Sequence, residues 1–422
     1  MSIQASSSIR SAIACPFCGL ACDDLQVDTA NSQANVIGNG CPRSVVQFRP
    51  PLGNVENRPA VDGRIVSLPE AVAAAARILA HSAQPLLAGL GTDVAGTRAA
   101  LQLADCIGAV VDHMNRGLAR NMAVVQDTGW LATTFAEVQN RADLVVFAGT
   151  DAVSRFPRFF ERILGQRESM FSEGAPQREI VYIGAKPGHP KSGNQGSPGE
   201  EIPCTNLGEA FGALRACLAG KRLQAEHAGG IAITELVKLA ERMRSARYGV
   251  LVWVATDLDY AHAELTIQAM SNLVSDLNEH TRFACLPISG SDGDMTANQV
   301  TVWQTGFPLR TGFGRGTPDY DPHHFSCERL LATGEADALL WISAFDAERL
   351  PPPSSVPAIV LGRPGMKFEK PPAVYIPVAT PGVHHAGHFF RGDNVVAVRL
   401  RKLVDSPLPA VADVLAQIEA AL

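Results

Sequence analysis

The sequence predicts an α/β protein in which a small N-terminal cysteine-rich module precedes two or more doubly wound lobes built on parallel sheets. One observation behind this prediction is that short apolar strands alternate with amphipathic helices from residue 67 onward. Another is that four of these strands end on an aspartate, at Asp93, Asp151, Asp257 and Asp346. Because doubly wound folds hold their ligands at the carboxyl ends of the strands, we expect the functional side chains there.

Length and composition set the number of lobes. With 422 residues, of which 46% are hydrophobic, the chain can form several cores. We expect the N-terminal module over residues 1–66, a first α/β lobe over 67–230, and a second α/β lobe with the C-terminal segment over 231–422.

Charge and hydropathy exclude two classes of partner. The net charge of −6 and the pI near 6.0 argue against nucleic acid or an anionic membrane, because both bind basic surfaces. No apolar run reaches the roughly 18 residues of a membrane span, and the polar first residues lack the regions of a signal peptide. The nine cysteines, four clustered and five scattered, are typical of a thiol site in a reducing compartment. We therefore expect a cytoplasmic protein.

The four clustered cysteines, Cys15, Cys18, Cys22 and Cys41, predict a metal site. The first three can be aimed at one point by a single tight loop, for which Gly19 supplies backbone freedom. The fourth comes from a separate element. This spacing fits a [4Fe-4S] cluster better than a zinc finger, whose ligands usually come as two close pairs. Zinc, or a site that keeps its thiols without metal, are the alternatives.

Turn and capping signals mark the entry into the first lobe. Asp62-Gly63 lies between two short apolar segments and predicts a β-hairpin. Ser67 at a cap position with Glu70 three residues later predicts a helix that continues to Ala80. Further on, apolar runs predict strands at 86–93, 109–111, 143–151, 178–184, 248–257, 282–288, 336–346 and 357–362, and helices at 97–107, 261–277 and 411–421.

Two other patterns have weaker functional interpretations. The glycine-containing segments Gly89-Leu-Gly91 and Gly312-Phe-Gly-Arg-Gly316 lack the remaining residues of a nucleotide fingerprint, so ordinary βα turns are favoured over phosphate loops. His384, His385 and His388 resemble a metal cluster, but their proline- and glycine-flanked segment predicts a polar loop near an interface or cleft instead.

Motifs spread over nearly the whole chain carry a resemblance to a known family. The N-terminal cysteine motif, the segment at 296–306 that begins Thr296-Ala-Asn-Gln-Val, Arg315-Gly316, and the late segment from Arg391 to Arg401 resemble the B subunit of formylmethanofuran dehydrogenase. That family belongs to the molybdopterin or tungstopterin formate-dehydrogenase superfamily. One of its relatives is the B subunit of the bacterial formyltransferase/hydrolase complex. The resemblance implies lobes of the molybdopterin-oxidoreductase type.

The sequence departs from the redox members of this family at two positions. The resemblance places their metal-ligating cysteine or selenocysteine at or beside Leu118, and no cysteine occurs between Cys106 and Cys204. Their active-site arginine is replaced at Ser289, whereas His113 lies too far from the ligand position to substitute for it. Because leucine cannot coordinate a metal, we expect neither a molybdenum or tungsten pterin nor catalytic residues on this chain.

The resemblance then implies a non-redox subunit of a formyltransferase/hydrolase complex. Its partners would be a formyltransferase, a zinc amidohydrolase-type hydrolase and the C subunit of the complex, and the chain would hold them together and contact a methanofuran-type carrier. The alternative is the catalytic subunit of an active Mo/W-pterin formylmethanofuran dehydrogenase. Apolar material in two loop-like stretches, around Trp303 to Leu309 and at Gly387-His-Phe-Phe, further predicts a chain that is stable only in a hetero-oligomer.

Overall fold

The computed structural model describes residues 8–49, 57–165, 169–170, 177–186 and 199–422. The strands, in chain order, are β1 Ile9–Ile13, β2 Leu25–Asp28, β3 Asn35–Gly38, β4 Ala60–Val61, β5 Arg64–Ile65, β6 Pro85–Gly91, β7 Val110–Val111, β8 Leu144–Ala148, β9 Glu179–Ile183, β10 Glu200–Ile202, β11 His227–Ala228, β12 Ile231–Ala232, β13 Gly249–Trp253, β14 Phe283–Pro287, β15 Thr311–Gly312, β16 Asp319–Tyr320, β17 Ala338–Ser343, β18 Ala358–Gly362, β19 Val374–Pro377, β20 Gly387–Phe390 and β21 Ala397–Leu400.

The α-helices are α1 Pro42–Phe48, α2 Leu68–Ala80, α3 Val94–Ile107, α4 Gly117–Asp127, α5 Phe135–Arg141, α6 Leu207–Leu218, α7 Ile233–Ser245, α8 Ala263–Leu277, α9 Asp294–Thr305, α10 Cys327–Ala332 and α11 Val411–Ala420. Four of these α-helices, α2, α3, α8 and α11, were predicted from the sequence, and the others were not. The predicted capping box at Ser67 and Glu70 is confirmed, and the carboxylate of Asp93 caps α3 by accepting the N–H of Gly96 at 3.0 Å. No helix of the described residues is long and apolar enough to cross a bilayer.

The chain divides into two units that are discontinuous in sequence. Unit 1 comprises Met1–Asn115, Gly290–Gly392 and Val396–Leu422, and unit 2 comprises Arg116–Ser289 with Asp393–Val395. These boundaries differ from the predicted ones at 66/67 and 230/231. The reason is strand pairing: β6 pairs with β17 and β8 pairs with β13, so each sheet takes strands from both predicted lobes.

Unit 1 is built on a nine-stranded sheet in the order β16-β15-β7-β6-β17-β18-β19-β4-β5. Its five central strands, β7 to β19, are parallel, and their apolar residues are buried on both faces, as in other covered parallel sheets. The chain leaves β6 toward β7 on one side and later adds β17, β18 and β19 on the other. The order therefore reverses between β6 and β17, which is where a doubly wound sheet opens a crevice.

The N-terminal segment is part of unit 1. Strands β1, β2 and β3 form a small antiparallel sheet, and the hairpin predicted at Asp62-Gly63 is present, with φ of 49° and 75° at these two residues. Strand β4 of this hairpin pairs with β19. The buried guanidinium of Arg363, after β18, donates to the backbone oxygen of Gln47 at 2.5 Å, which ties the end of α1 to the sheet.

Unit 2 contains a five-stranded, fully parallel sheet in the order β10-β9-β8-β13-β14. Its core includes Trp253, whose indole N–H donates to Asn121 at 3.1 Å, and Phe211 on α6; both aromatic side chains are fully buried. Strand order reverses between β8 and β13. The predicted fold class, parallel α/β units with cysteines near the N-terminus, is confirmed.

The aromatic segments predicted to be loop-like differ from that prediction in part. Phe389 and Phe390 lie in β20 and are buried within unit 1. Trp303 is on the last turn of α9 and is 60% exposed, with its ring 5.3 Å from that of Phe390. Phe307 follows the same helix and stacks on Tyr320. The helix end, not the β20 hairpin, therefore carries the exposed aromatic surface.

Candidate functional site

The N-terminal cysteine loop is closed by its own backbone. The N–H of Cys15 donates to the carbonyl of Cys22 at 2.8 Å, and that of Ala21 donates to the carbonyl of Cys18 at 3.1 Å. Ala21, with φ of 45°, takes the left-handed conformation of this turn. Cys15, Cys18 and Cys22 are buried. The loop therefore holds three thiols in the interior of unit 1.

The fourth cysteine lies at the start of a helix. Cys41 is the N-cap of α1: its sulfur accepts the N–H of Ser44 at 3.4 Å, and its own N–H donates to the Ser44 hydroxyl at 2.9 Å. Pro42 occupies the first helical position, where its missing N–H costs nothing.

The clustered thiols lie close enough to change one another's pKa. Burial raises the pKa of Cys15 well above its usual range, and the neighbouring Cys18, Cys22 and Cys41 raise it further. Burial also raises the pKa of Cys18, against the lowering effects of backbone N–H donors and Arg43. Uncompensated thiolates would repel each other here, so only a positively charged group would hold all four deprotonated.

The chemistry of the cysteine site fits a thiolate-bound metal group. Backbone N–H groups of Phe17, Leu20 and Ala21 point at the cysteine sulfurs, as donors around metal-bound thiolates do. Yet among residues 8–49 and the other described ranges, no three His, Cys, Asp or Glu side chains are placed so that they could hold a metal ion. The iron–sulfur cluster and its zinc alternative therefore stay predictions.

Gly19 has a different role from the predicted one. Its backbone does not use a left-handed conformation, which falls to Ala21 instead. Its carbonyl accepts the N–H of Gly392 at 2.7 Å, and a methyl group built on Gly290 would lie 2.6 Å from its Cα. The cysteine loop thus needs glycine for close contact with two other segments of unit 1.

The predicted strand-end aspartates meet in pairs at the two points where strand order reverses. In unit 1, Asp93 follows β6 and Asp346 follows β17, its neighbour in the sheet. In unit 2, Asp151 follows β8 and Asp257 follows β13. Each pair therefore borders the crevice in which doubly wound folds bind ligands.

The crevice of unit 1 is occupied by a loop of its own chain. Gly293, with φ of 80°, packs so tightly that an added Cβ would lie 2.9 Å from the carbonyl oxygen of Thr92 and 3.2 Å from the ring of Phe345. Asp292 and Asp294 flank it, and both are buried. Burial raises the pKa of Asp292, although its ion pair with Arg349 at 3.0 Å opposes this.

The crevice of unit 2 holds a compact polar network. The carboxylate of Asp257 accepts the Thr150 hydroxyl at 2.7 Å and the Arg155 guanidinium at 2.5 Å. Asp151 accepts the N–H of Ser154 at 3.0 Å. Since the carboxylate of Asp257 already compensates the charge of Arg155, this network offers little positive charge to an anionic ligand.

The histidine near the predicted metal-ligand position is a satisfied core residue. His113 is buried; its Nδ1 accepts the N–H of Asn115 at 2.9 Å, so its Nε2 carries the proton and donates to the carbonyl of Asp292 at 3.2 Å. Both ring nitrogens are thus engaged within unit 1. Leu118 is buried on α4 of unit 2, and Ser289 is buried after β14.

Acid is expected to destabilise the protein through His113. Burial, opposed by the hydrogen bond to the Asp292 carbonyl and aided by the nearby Arg349, lowers the pKa of His113 to about 4, whereas an unfolded histidine titrates near 6.5. Between these values the unfolded chain binds more protons, so stability falls as the pH drops from about 6.5 toward 4. We expect a loss of about 2 kcal/mol between pH 7 and pH 5 in urea unfolding.

The control for this pH effect is an exposed histidine. The variant H113N should reduce the pH slope, whereas H388Q, which changes a side chain on the surface of β20, should leave it unchanged. Equal slopes in the H113N variant and the parent would show that His113 is not the responsible group.

Sequence reasoning missed several buried polar residues of unit 1. Asp292 and Asp294 flank Gly293, at which α9 begins, and an Asp-Gly-Asp run is a turn signal in the sequence. Arg363 directly follows an apolar strand, which is the same signal that identified the aspartates. Gly89 and Gly91, weighed as a phosphate loop, lie in β6 against β17, where a methyl group on Gly89 would lie 2.6 Å from the oxygen of Ile342.

Comparison with known proteins decides the family. The chain is 31% identical over 290 residues to the B subunit of the formyltransferase/hydrolase complex Fhc of Methylorubrum extorquens, covering 68% of this chain and 75% of that protein. The chain belongs to the family formed by the B subunits of formylmethanofuran dehydrogenase and Fhc. It is also 27% identical to the B subunit of the tungsten-containing formylmethanofuran dehydrogenase 2 of Methanocaldococcus jannaschii, over 94% of each chain. No family model matches the sequence.

A solved structure of a member of this family has the same fold as this chain. The crystal structure of the FhcABCD complex from Methylorubrum extorquens with methylofuran contains a chain that is similar with a TM-score of 0.72 and 29% identity, covering 86% of this chain and 98% of that one. Acetylene hydratase from Pelobacter acetylenicus is similar in fold alone, with a TM-score of 0.67 and 11% identity over 98% of this chain and 69% of that one. The predicted molybdopterin-type architecture is therefore confirmed.

Proposed function

We propose that this chain is a non-redox subunit of a formyltransferase/hydrolase complex. In such a complex formyl-tetrahydromethanopterin passes its formyl group to a methanofuran-type carrier, and the carrier's formamide is hydrolysed to formate. The transferase and zinc-hydrolase chemistry would lie on the formyltransferase and hydrolase subunits. This chain would hold these two and the C subunit together and contact the carrier.

The observation that carries the proposal is the missing metal ligand. No cysteine occurs between Cys106 and Cys204, and Leu118 at the corresponding position is apolar and buried. Molybdenum or tungsten in a redox member requires a thiolate or selenolate from this stretch, so the chain lacks the group through which such a metal would exchange electrons.

The crevice of unit 1 supports the same conclusion, because its residues do not fit a pterin dinucleotide. Such a cofactor carries phosphates, which need N–H donors and positive charge at a strand-end crevice. Here Asp93 uses its carboxylate to cap the N-terminus of α3, and Asp292, Gly293 and Asp294 fill the space between Thr92 and Phe345. The buried carboxylates would repel a phosphate.

One specific observation favours the alternative, an active formylmethanofuran dehydrogenase. The dehydrogenase relatives align over 94% of this chain, and the four N-terminal cysteines that an electron-transfer cluster would need are present. This activity would need a non-sulfur ligand for the molybdenum or tungsten. Oxidation of formylmethanofuran with a viologen acceptor would distinguish it from the hydrolytic complex.

Elemental analysis of the purified complex is expected to show no molybdenum or tungsten bound to this chain. The chain, produced together with its partner subunits in cells supplied with molybdate and tungstate, should contain neither metal nor extractable pterin. Zinc should be present, since it belongs to the hydrolase subunit, and iron should be present if the four cysteines hold a cluster.

The variant L118C makes this test sharper. Because the crevice of unit 1 does not fit the cofactor, restoring the thiol alone should leave the complex free of both metals and without viologen-linked activity. Stoichiometric molybdenum or tungsten with pterin in the parent complex would contradict the proposal.

A further inference from the structure

Three of the segments that carry the family resemblance meet in unit 1. They are the N-terminal cysteine motif, residues 296–306 on and just after α9, and the late segment that begins at Arg391 after β20. These segments are remote in sequence, and their contacts connect the cysteine loop to α9 by two routes.

The first route runs from the cysteine loop to the segment that leads into α9. Gly290 lies four residues before the helix begins and has a φ of 101°. A Cβ built on it would lie 2.6 Å from Cα of Gly19 in the cysteine loop and 3.2 Å from Cα of Gly392. These three backbones are therefore packed so closely that no side chain fits between them.

The second route runs through strand β20. The N–H of Gly392, two residues after β20, donates to the carbonyl of Gly19 at 2.7 Å. At the end of β20, the N–H of Phe390 donates to the hydroxyl of Thr296 on α9 at 2.9 Å, and Thr296 is completely buried. Because these two donors are only two residues apart, the end of β20 is held between the cysteine loop and the helix.

Strand β20 also contacts the exposed end of α9. The ring of Trp303, which is 60% exposed, meets the ring of Phe390 edge-on, with 5.3 Å between the ring centres. Aromatic pairs of this kind prefer a specific relative orientation. The position of Phe390 therefore affects how Trp303 is presented on the surface.

We propose that the cysteine loop positions the exposed aromatic end of α9, acting through Gly290 and through β20. Closely packed interiors transmit displacements, because they contain no space that could absorb them. A shifted cysteine loop releases the N–H of Gly392, loosens β20 and moves Phe390 away from Trp303. That the surface from Trp303 to Phe307 receives partner subunits rests on the proposed function, whereas the positioning itself does not.

Hydrogen exchange followed by mass spectrometry, on the full chain in its complex, tests the positioning. C18S disturbs the cysteine loop, and T296V removes the acceptor of the Phe390 N–H with little change in shape. We expect amide exchange over residues 387–392 to become at least about fivefold faster in both variants. Exchange over residues 302–307 should also become faster, although neither substitution lies in that segment.

Matched variants separate positioning from a general loss of stability. Thr301 is also completely buried on α9, but its hydroxyl donates to the carbonyl of Ala297 in the same helix at 2.7 Å. T301V and C106S should therefore keep the parent's exchange over 387–392 and 302–307. Strand β13 of unit 2 should exchange as in the parent in every variant.

Two results would overturn the proposal. One is parent-like exchange over 302–307 in C18S after its N-terminal segment has lost protease resistance, and the other is equal exchange there in T296V and T301V. The ratio of partner subunits in the same samples tests the proposed function separately. An unchanged ratio with faster exchange over 302–307 would contradict partner binding at this surface, while the positioning would stand.

Discussion

Replacing Cys18 with serine is expected to loosen the N-terminal segment from Arg10 to Val45 while formate release by the assembled complex stays largely intact. If the four cysteines hold a cluster, we expect its role to be structural, because the proposed non-redox subunit has no molybdenum or tungsten site with which a cluster would exchange electrons. Removing one ligand would release the metal, and the binding free energy of the metal is also folding free energy. We expect rapid proteolysis in this segment and loss of bound iron.

Cys106 provides the matched control for the C18S variant. It is exposed on α3 and outside the N-terminal loop, so C106S should keep both the iron and the protease resistance of the parent. A fall in formate release by C18S with unchanged assembly would instead place chemistry at the cluster. Identical protease patterns for C18S, C106S and the parent would show that the thiols stabilise nothing.

The chain produced alone is expected to associate or aggregate, and to become well behaved only with its partner subunits. Trp303 is 60% exposed, and Val302 beside it on α9 and Phe307 just after the helix are also partly exposed. Exposed apolar surface of this kind is usually covered by a partner. Sedimentation velocity of the isolated chain should show large species, and addition of the partner subunits should yield a defined complex.

Substitutions at the end of α9 locate this surface. The double variant W303S/F307S should sediment mostly as a monomer and should lose partner subunits during purification. L265S removes a comparably exposed apolar side chain from α8 and should change neither property. A clean monomer of the parent chain that fails to bind transferase or hydrolase subunits would contradict the scaffold role.

The local structure of this protein was determined largely by its sequence. Continuous apolar runs specified buried parallel strands, Ser67 with Glu70 specified the start of α2, and Asp62-Gly63 specified a hairpin. The rule that ligands bind at strand ends correctly placed the four aspartates at the two crevices. These features depend on neighbours within a few residues, so they can be read directly from the chain.

Pairing between distant segments could be decided only by the tertiary structure. Parallel strands can be joined by connections of any length above about a dozen residues, so nothing local indicates that β6 pairs with β17 or that β8 pairs with β13. The same holds for the loop at Gly293, which reaches the crevice of unit 1 from a remote part of the sequence, and for His385 beside Asp93. Oδ2 of Asp93 and Nε2 of His385 are buried without a hydrogen-bond partner among the described residues. Their burial depends on the folded chain and cannot be read from the residue types.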